Sequence, residues 1–280
     1  MSALNLAASA RTPLSETETG SAKPGTRTEP ARAGARAGTL LLVGATSDIG
    51  HATAQAYAEA GWDVVLAARD AAGAARNAAD LAARSGRNVP VLALDVTDGA
   101  AFAGFLDGLP VLPDTVVCVV GLLGDQRRAE TDPAEAVAIM RANFEGPALL
   151  LGMVAERFAA RGRGTIVGVS SVAGERGRAS NYVYGAAKAG FTAFLSGLRN
   201  RLAKQGVRVV TVKPGFVRTK MTAGLPLPKP LTAEPAAVGR AIHRAAEVAP
   251  RDVVYAKAIW APIMMIIRAI PEPVFKRMKL

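Results

Sequence analysis

Short apolar runs alternate with longer amphipathic stretches from Thr39 onward. The runs are rich in β-branched residues and apolar at consecutive positions, which is typical of parallel strands buried on both faces. We predict strands at 39–44, 63–68, 89–94, 115–120, 164–170, 207–213 and 252–256. The stretches between them predict helices at 50–60, 71–85, 99–108, 133–160, 181–205 and 234–248.

This alternation predicts a single α/β domain in which a doubly wound parallel sheet carries helices on both faces. The fold class is therefore Rossmann-type, with seven strands in the order 3-2-1-4-5-6-7 and right-handed crossovers. Ligands bind beyond the carboxyl ends of the strands in such a sheet, and we expect the functional residues there.

The two ends of the chain differ from the predicted domain, which spans 39–256. Residues 1–38 have no sustained apolar period and predict a disordered lead without a signal peptide. Residues 257–280 combine an apolar run with flanking Lys and Arg, but the run is shorter than the ~20 residues of a membrane span. Two interpretations stay open: an interfacial membrane anchor, or a helix packed on the core or in a subunit interface.

Composition narrows the chemistry further. The 280 residues include one cysteine, Cys118, and two histidines, so neither a disulfide framework nor a metal site is expected. The net charge of +11 indicates an anionic partner. The charge forms no tight basic stripe with interleaved aromatics, which disfavours nucleic acid and favours phosphate groups or a membrane surface. We expect a cytoplasmic protein, with peripheral contact at the inner face of the membrane if the tail is an interfacial anchor.

A glycine-bounded turn joins the first strand to the first helix. Gly44 permits the tight turn, Gly50 permits close packing, and the helix N-terminus presents free N–H groups to a phosphate. This position predicts a dinucleotide site. Because an acid beside a diphosphate is unfavourable, we expect Asp48 to point away and cap the helix. The predicted cofactor contacts in the turn are Gly44, Thr46, Ser47, Asp48, Ile49 and Gly50.

The end of the second strand predicts the choice of cofactor. Arg69 follows the strand-end residue Ala68, and an Arg here accepts the 2′-phosphate of NADP(H), which we favour over NAD(H). Asp70 comes one position later and is expected to cap the next helix. Asp95 and Val96, at the end of the third strand, are expected to meet the adenine.

Three residues carry the predicted chemistry. Tyr184 and Lys188 are four positions apart on a predicted helix and share one face, whereas Tyr182 lies on another. Ser171 ends the fifth strand. A Lys⁺ beside a tyrosine, together with a positively charged oxidised nicotinamide, favours the phenolate, so we expect Lys188 and the bound cofactor to lower the pKa of Tyr184 from about 10.

These residues, with the glycine turn, resemble the short-chain dehydrogenase/reductase family over about residues 39–256. The resemblance implies an NAD(P)-dependent reductase in which Tyr184 protonates the carbonyl oxygen and Ser171 hydrogen-bonds it. Lys188 would hold the nicotinamide ribose, and Asn143 would support a water that links Lys188 to solvent. Further cofactor contacts that the resemblance implies are Gly121, Pro214, Gly215, Val217 and Thr219.

A closer resemblance adds a substrate. Gly121-Leu122-Leu123-Gly124-Asp125, the segment 170–176 and the tail motif Phe275-Lys276-Arg277 are similar to the reductase subunits of decaprenylphosphoryl-ribose 2′-epimerases. This implies reduction of a 2-keto pentofuranosyl phosphopolyprenol to the arabinose form, after a separate flavin-dependent oxidase makes the ketone. Candidate ligands for the substrate phosphate are Arg176, Arg178 and Arg218.

Two other functions remain open from the sequence: reduction of a soluble or acyl-type ketone, and a non-catalytic NAD(P) sensor. The intact Ser171, Tyr184 and Lys188 argue against the sensor, which has no need of them. The family resemblance also implies a homodimer or homotetramer formed through the long helices that hold Asn143 and Tyr184.

Overall fold

A parallel seven-stranded sheet forms the centre of the computed structural model, which describes residues 37–278. The sheet order is 3-2-1-4-5-6-9, and the ninth strand is the predicted seventh, so the predicted order is confirmed. Two two-residue strands, not predicted, pair separately with each other. The strands are β1 (Thr39–Val43), β2 (Asp63–Ala68), β3 (Val91–Ala93), β4 (Thr115–Cys118), β5 (Gly164–Val169), β6 (Val207–Lys213), β7 (Phe216–Val217), β8 (Thr232–Ala233) and β9 (Val253–Tyr255). The predicted lead lies outside the described residues except for positions 37 and 38.

The helices follow the predicted spans closely. Four short segments were not predicted as helices: Gln126–Ala129 and the 3-10 turns Val172–Gly174, Lys220–Thr222 and Lys229–Leu231. In the C-terminal tail, Trp260–Ala269 forms the helix that one of the two interpretations expects, and Glu272–Phe275 forms a further turn of helix. The helices are α1 (Asp48–Glu59), α2 (Ala71–Ser85), α3 (Phe102–Asp107), α4 (Gln126–Ala129), α5 (Pro133–Met140), α6 (Gly146–Arg161), α7 (Tyr182–Leu202), α8 (Pro235–His243), α9 (Trp260–Ala269) and α10 (Glu272–Phe275).

The predicted helix 133–160 is interrupted by a π-helical segment, Arg141–Glu145, between α5 and α6. Pro147 has no N–H to donate to the carbonyl of Asn143, its usual α-helical partner. The hydrogen-bond pattern widens just before it, where Gly146 N donates to the carbonyl of Arg141. Such π-bulges frequently occur at functional sites, and this one carries Asn143.

The hydrophobic core has two layers, one on each face of the sheet. Leu40 and Leu42 of β1 pack in the layer that holds Tyr57 of α1. Leu41 and Val43 enter the opposite layer with Phe158 of α6. Because both faces are covered, every position of a central strand is buried, which explains the apolar runs in the sequence.

The helical run Pro133–Arg161 is long and apolar enough to cross a membrane by length and composition alone. Its Leu150, Leu151 and Phe158 side chains are completely buried against the sheet. Core packing therefore accounts for the apolar residues on the inner side of this run, while others, such as Leu149, stay exposed.

The C-terminal tail packs on the domain through one face of α9. Trp260 and Met264 are buried in a small cluster with Val172, which follows β5. The opposite face of α9 leaves Met265 60% and Ile266 63% exposed. The inner face of α9 therefore packs on the domain, as the packed-helix interpretation expects. Its outer face presents apolar side chains to solvent.

Candidate active site

The turn after β1 is built around close backbone contacts. Gly44 has a φ of +96°, and a Cβ there would lie 3.1 Å from the backbone of Val119 and Val120. A Cβ on Gly50 would come within 2.5 Å of the Gly44 carbonyl oxygen. Ser47 caps α1, because its Oγ accepts a hydrogen bond from Gly50 N at 2.9 Å. These constraints bring the N-terminus of α1 to the cleft at the carboxyl end of β1.

Asp48 does not cap α1, and the expectation that it would is wrong, since Ser47 does so. Its Oδ2 instead accepts a hydrogen bond from the backbone N–H of Lys220 at 2.7 Å. Lys220 begins a one-turn 3-10 helix, Lys220–Thr222. The carboxylate therefore points away from the N-terminus of its own helix, which avoids the predicted repulsion with a diphosphate.

A first cleft lies over the carboxyl ends of β1 to β4. Arg69 is exposed on its wall, and Asp70 caps α2 as expected, with Gly73 N donating to its Oδ1 at 2.8 Å. Asp95 Oδ1 accepts from both the backbone N–H and the hydroxyl of Thr97. Burial alone would raise the pKa of Asp95, but these hydrogen bonds and the Arg69 charge lower it. Predicted cofactor residues that line this cleft are Gly44, Thr46, Ser47, Arg69, Asp95, Val96 and Gly121.

A second cleft continues from the first across Val119, Val120 and Gly121. It gathers the predicted Ser171, Tyr184 and Lys188 with Ile49, Pro214, Gly215, Val217 and Thr219. The sequence analysis missed several apolar residues that line this cleft, because no local sequence pattern identifies residues that reach the cleft from distant elements. These missed residues include Phe216 and Trp260.

The Ser171 hydroxyl accepts a hydrogen bond from Ala173 N at 3.1 Å and is near enough to the Tyr184 phenol to lower its pKa slightly. Tyr184 is partly open to the cleft but enclosed on its other sides, and this burial raises its pKa to about 12. The expected lowering by Lys188 is not found for the protein's own groups, because burial of the phenol outweighs the effect of an ammonium 5.8 Å from the ring centroid. Tyr184 therefore keeps its proton at neutral pH.

Lys188 is buried without a carboxylate partner among residues 37–278. Its Nζ donates to the carbonyls of Val169 at 3.1 Å and Val120 at 3.3 Å. Burial lowers the pKa of Lys188 to about 8. The side chain therefore changes protonation much nearer to neutral pH than an exposed lysine.

Asn143 is completely buried beneath the loop that follows β4. Its Nδ2 donates to the carbonyls of Leu122 and Ile139, and its Oδ1 accepts from Leu122 N. A Cβ on Gly121 would lie 3.3 Å from Asn143 Oδ1 and 3.7 Å from Lys188 Nζ. The amide thus fixes the loop beside Gly121, close to the Lys188 ammonium.

The three candidate arginines lie in different environments. Arg178 lines the second cleft, and no side-chain hydrogen bond or ion pair joins its guanidinium to residues 37–278. Burial lowers the pKa of this group. Arg218 forms a surface ion pair with Glu234 at 2.9 Å and does not line the cleft. Of Arg178 and Arg218, only Arg178 presents an unpaired guanidinium to the cleft.

Arg176 is directed away from the cleft, so the expectation that it binds substrate phosphate is wrong. Its Nη1 donates to the carbonyls of Ile267, Arg268 and Ile270 at the end of α9. Its Nη2 pairs with Glu272 at 2.8 Å. Both terminal nitrogens of its guanidinium are thus bonded to the tail, and Arg176 fastens the C-terminal tail to the segment after β5.

The residues of the two clefts fit a nicotinamide dinucleotide. The first cleft combines a glycine turn with no room for side chains and a helix N-terminus, as diphosphate binding requires. It leads directly to the Ser171–Tyr184–Lys188 group. A protein with this fold and these clefts is an NAD(P)-dependent dehydrogenase or reductase.

Sequence comparison gives the family. Residues 38–229 match the family model described as short chain dehydrogenase, and the chain belongs to the short-chain dehydrogenase/reductase family. It is 40% identical over 244 residues to an uncharacterized oxidoreductase of Mycobacterium tuberculosis, covering 85% of this chain and 96% of that protein.

Solved structures agree with this fold. A protein described as a short-chain alcohol dehydrogenase from Sinorhizobium meliloti superposes with a TM-score of 0.71 at 25% identity, covering 81% of this chain and 98% of that one. A protein described as a 2-deoxy-D-gluconate 3-dehydrogenase from Agrobacterium tumefaciens, which contains bound NADP, gives 0.70 at 23% identity, with coverages of 81% and 97%.

Proposed function

We propose that the enzyme is an NADPH-dependent reductase of a lipid-linked keto-sugar, a 2-keto pentofuranosyl phosphopolyprenol that it converts to the arabinose epimer. A flavin-dependent oxidase would be the partner that supplies the ketone. The observation that carries the proposal is the unpaired guanidinium of Arg178 in a largely apolar cleft that also holds Ser171 and Tyr184.

Arg178 is suited to an anionic partner. Burial of its charge is unfavourable, and no carboxylate among residues 37–278 offsets that penalty. A phosphate placed against the guanidinium would form charge-assisted hydrogen bonds, bidentate where the geometry allows. Arg178 would thus hold the phosphate of the substrate while the sugar ketone faces Tyr184.

The cleft also suits an apolar chain. Met221 and Leu225 border it on the side of the segment 220–231, and Trp260 borders it from α9. Leu225 is 48% exposed, so the apolar lining reaches the protein surface. A polyprenyl chain could leave the cleft along this path without placing its carbons in water.

The reduction adds a hydride to the carbonyl carbon and a proton to its oxygen. NAD(P)H, when bound, supplies the hydride. Tyr184 holds its proton at neutral pH and donates it to the carbonyl oxygen, while Ser171 hydrogen-bonds that oxygen. Lys188, with a pKa of about 8, is suited to return a proton to Tyr184 near neutral pH. Asn143 keeps the loop beside Lys188 in place.

Peripheral membrane contact belongs to the same proposal. The outer face of α9 exposes Met265 and Ile266, and the exposed basic residues Lys276 and Arg277 follow this helix in the sequence. An apolar face with flanking cations suits the anionic inner surface of the cytoplasmic membrane. The wild-type protein should sediment with anionic vesicles, and M265E/I266E should release it.

A homodimer or homotetramer is the assembly that we propose. Between α6 and α7, an apolar groove exposes Leu149 and is lined by Met153 and Phe194. A second copy of this helix pair would cover the groove. Light scattering on the wild type should give a multiple of the 28.9 kDa chain mass, and Leu149→Glu should give the monomer.

The substrate is tested by comparing three ketones: the oxidised phosphopolyprenyl pentose, a soluble phosphorylated keto-sugar and a neutral ketone. We expect Arg178→Ala to raise KM for both phosphorylated compounds about 10–100-fold and to leave the neutral ketone unchanged. Arg218→Ala is the matched control, because its guanidinium already has a partner, Glu234. Preference for the soluble phosphorylated keto-sugar would show that the substrate carries no lipid. Preference for the neutral ketone would refute the proposal.

A further inference from the structure

Asp48 connects the cofactor turn to the segment that borders the substrate side of the cleft. We call residues 220–231 the lid segment. Asp48 is the first residue of α1, and its Oδ2 lies 2.7 Å from the backbone N of Lys220, where the lid segment begins. The two groups are 172 positions apart in the sequence. One hydrogen bond therefore joins the two parts of the molecule that would hold the diphosphate and enclose the substrate.

The far end of the lid segment is held by the C-terminal tail. Trp260 Nε1 donates to the carbonyl of Leu231 at 3.1 Å. Lys257 Nζ donates to the carbonyls of Pro230 and Thr232. Met221 and Leu225 of the lid segment lie between the two anchored ends and line the cleft. The position of these two side chains thus depends on the restraint at each end.

The contact with Asp48 acts through the backbone of Lys220. The Lys220 side chain is 88% exposed, and its Nζ lies 3.9 Å from Asp48 Oδ1, so this surface ion pair contributes little. The backbone N–H is the first of the one-turn helix Lys220–Thr222, a position at which a carboxylate acceptor is favourable. Removal of the Lys220 side chain should therefore leave the connection intact.

We propose that Asp48 is a positioning residue that sets the lid segment relative to the cofactor turn, so that a bound dinucleotide orders the substrate wall. The hydrogen bond to Lys220 N turns the carboxylate toward the lid segment, so Asp48 can stand at the start of α1 without facing a diphosphate. Its backbone belongs to the cofactor turn and its side chain holds the lid segment, which couples the two. The proposal rests on dinucleotide binding alone, and it holds for any carbonyl substrate.

Amide hydrogen exchange of the full chain, with and without NADPH and without any substrate, tests this role. We expect NADPH to slow exchange in the peptide 219–225 of the wild type. Asp48→Ala should speed that exchange about tenfold and abolish the effect of NADPH, since the acceptor is lost. Asp48→Asn keeps an acceptor oxygen and should behave as the wild type within about threefold. Lys220→Ala is the matched control and should match the wild type.

Several outcomes would overturn the proposal. Unchanged exchange in Asp48→Ala would show that the lid segment is ordered without Asp48. If Asp48→Asn speeds exchange of the peptide 219–225 as much as Asp48→Ala does, the charge of Asp48, and not its acceptor oxygen, orders the lid segment. An effect of Lys220→Ala as large as that of Asp48→Ala would transfer the role to the side-chain pair. Exchange across α1 shows whether Asp48→Ala folds. If it does not, Asp48→Gly removes the same acceptor and is measured in its place. Because no substrate is present, failure of the lipid-linked substrate hypothesis leaves these results unaffected.

Discussion

The indole of Trp260 lies directly against Gly215, where a Cβ would come within 2.0 Å of the ring. Phe216 meets the same indole edge-on, with 5.6 Å between ring centroids. Gly215 belongs to the segment after β6 that was expected to face the nicotinamide, and Trp260 comes from the C-terminal tail. The tail is therefore part of the cleft wall, whatever its outer face contacts.

Gly215→Ala should displace Trp260 and lower the free energy of unfolding by roughly 1–3 kcal/mol, because the added methyl overpacks a buried contact. Gly104→Ala is the control, since its Cβ would meet nothing within 4 Å in the helix α3. That substitution should stabilise the protein by about 0.5–1 kcal/mol. Urea titration measures both. Equal effects of the two substitutions would contradict the contact.

Tyr184→Phe should reduce kcat by about 10²–10⁴-fold, because the variant cannot donate a proton to the carbonyl oxygen. NADPH binding should be unchanged, as measured by the quenching of intrinsic fluorescence. Tyr182→Phe serves as the control, since Tyr182 is exposed and lies on another face of α7. Retention of full turnover by Tyr184→Phe would exclude Tyr184 as the acid.

The stability of the protein should depend on pH through Lys188. Its pKa is about 8 in the folded protein and 10.5 in the unfolded chain, so the unfolded chain binds more protons between these values. The free energy of unfolding therefore rises with pH across this window, by about 3 kcal/mol from this group. Burial of the ammonium is a penalty that is fully present below pH 8 and absent above 10.5.

Lys188→Met removes this titratable group, so the variant serves as the reference for the pH dependence of wild-type stability. Urea unfolding of both proteins at several pH values between 7 and 10.5 should show wild-type stability gaining on the variant as the pH rises. Their difference should change by about 3 kcal/mol over the window. A constant difference would mean that Lys188 titrates near its ordinary pKa in the folded protein.

The strands and helices could be predicted because each depends on a local pattern. The apolar runs record burial on both faces, and Ser47 and Asp70 cap the helices that follow them. The partners of Asp48 and Arg176 could not be predicted in this way. Each bonds to backbone groups 90 or more positions away, and backbone groups leave no signature in the sequence.

The pKa that the protein's own groups give Tyr184 could not be predicted, for a related reason. The spacing to Lys188 correctly placed both residues on one side of α7, and the structure brings both to the same cleft. The spacing gives neither the 5.8 Å between Nζ and the ring centroid nor the enclosure of the phenol. Desolvation dominates the result, and only the packed structure shows how far water is excluded.

Arg176→Ala should release the C-terminal tail. Three carbonyls at the end of α9 would lose their donor, and the ion pair with Glu272 would be broken. We expect a loss of about 1–3 kcal/mol in the free energy of unfolding and faster amide exchange across 260–278. Arg176→Lys should not restore either property, because a single ammonium cannot reproduce the planar fork of donors.

The comparison for this prediction is Arg218→Ala, which breaks an exposed pair with Glu234 and should change stability by at most about 1 kcal/mol. If Arg176→Ala were equally mild and left the exchange of α9 unchanged, the tail would be held by Trp260 and Met264 alone.

Arg69→Ala should weaken binding of NADPH and leave binding of NADH nearly unchanged. Arg69 is exposed on the wall of the first cleft, at the carboxyl end of β2, where the ribose 2′-position is bound in this fold. Loss of one charge-assisted hydrogen-bonding group should raise Kd for NADPH about 10–100-fold. Arg76→Ala, an exposed arginine on α2 outside the cleft lining, should leave both Kd values unchanged. An equal loss for NADH and NADPH would assign Arg69 to the diphosphate or the adenine and would remove the structural basis for an NADPH preference.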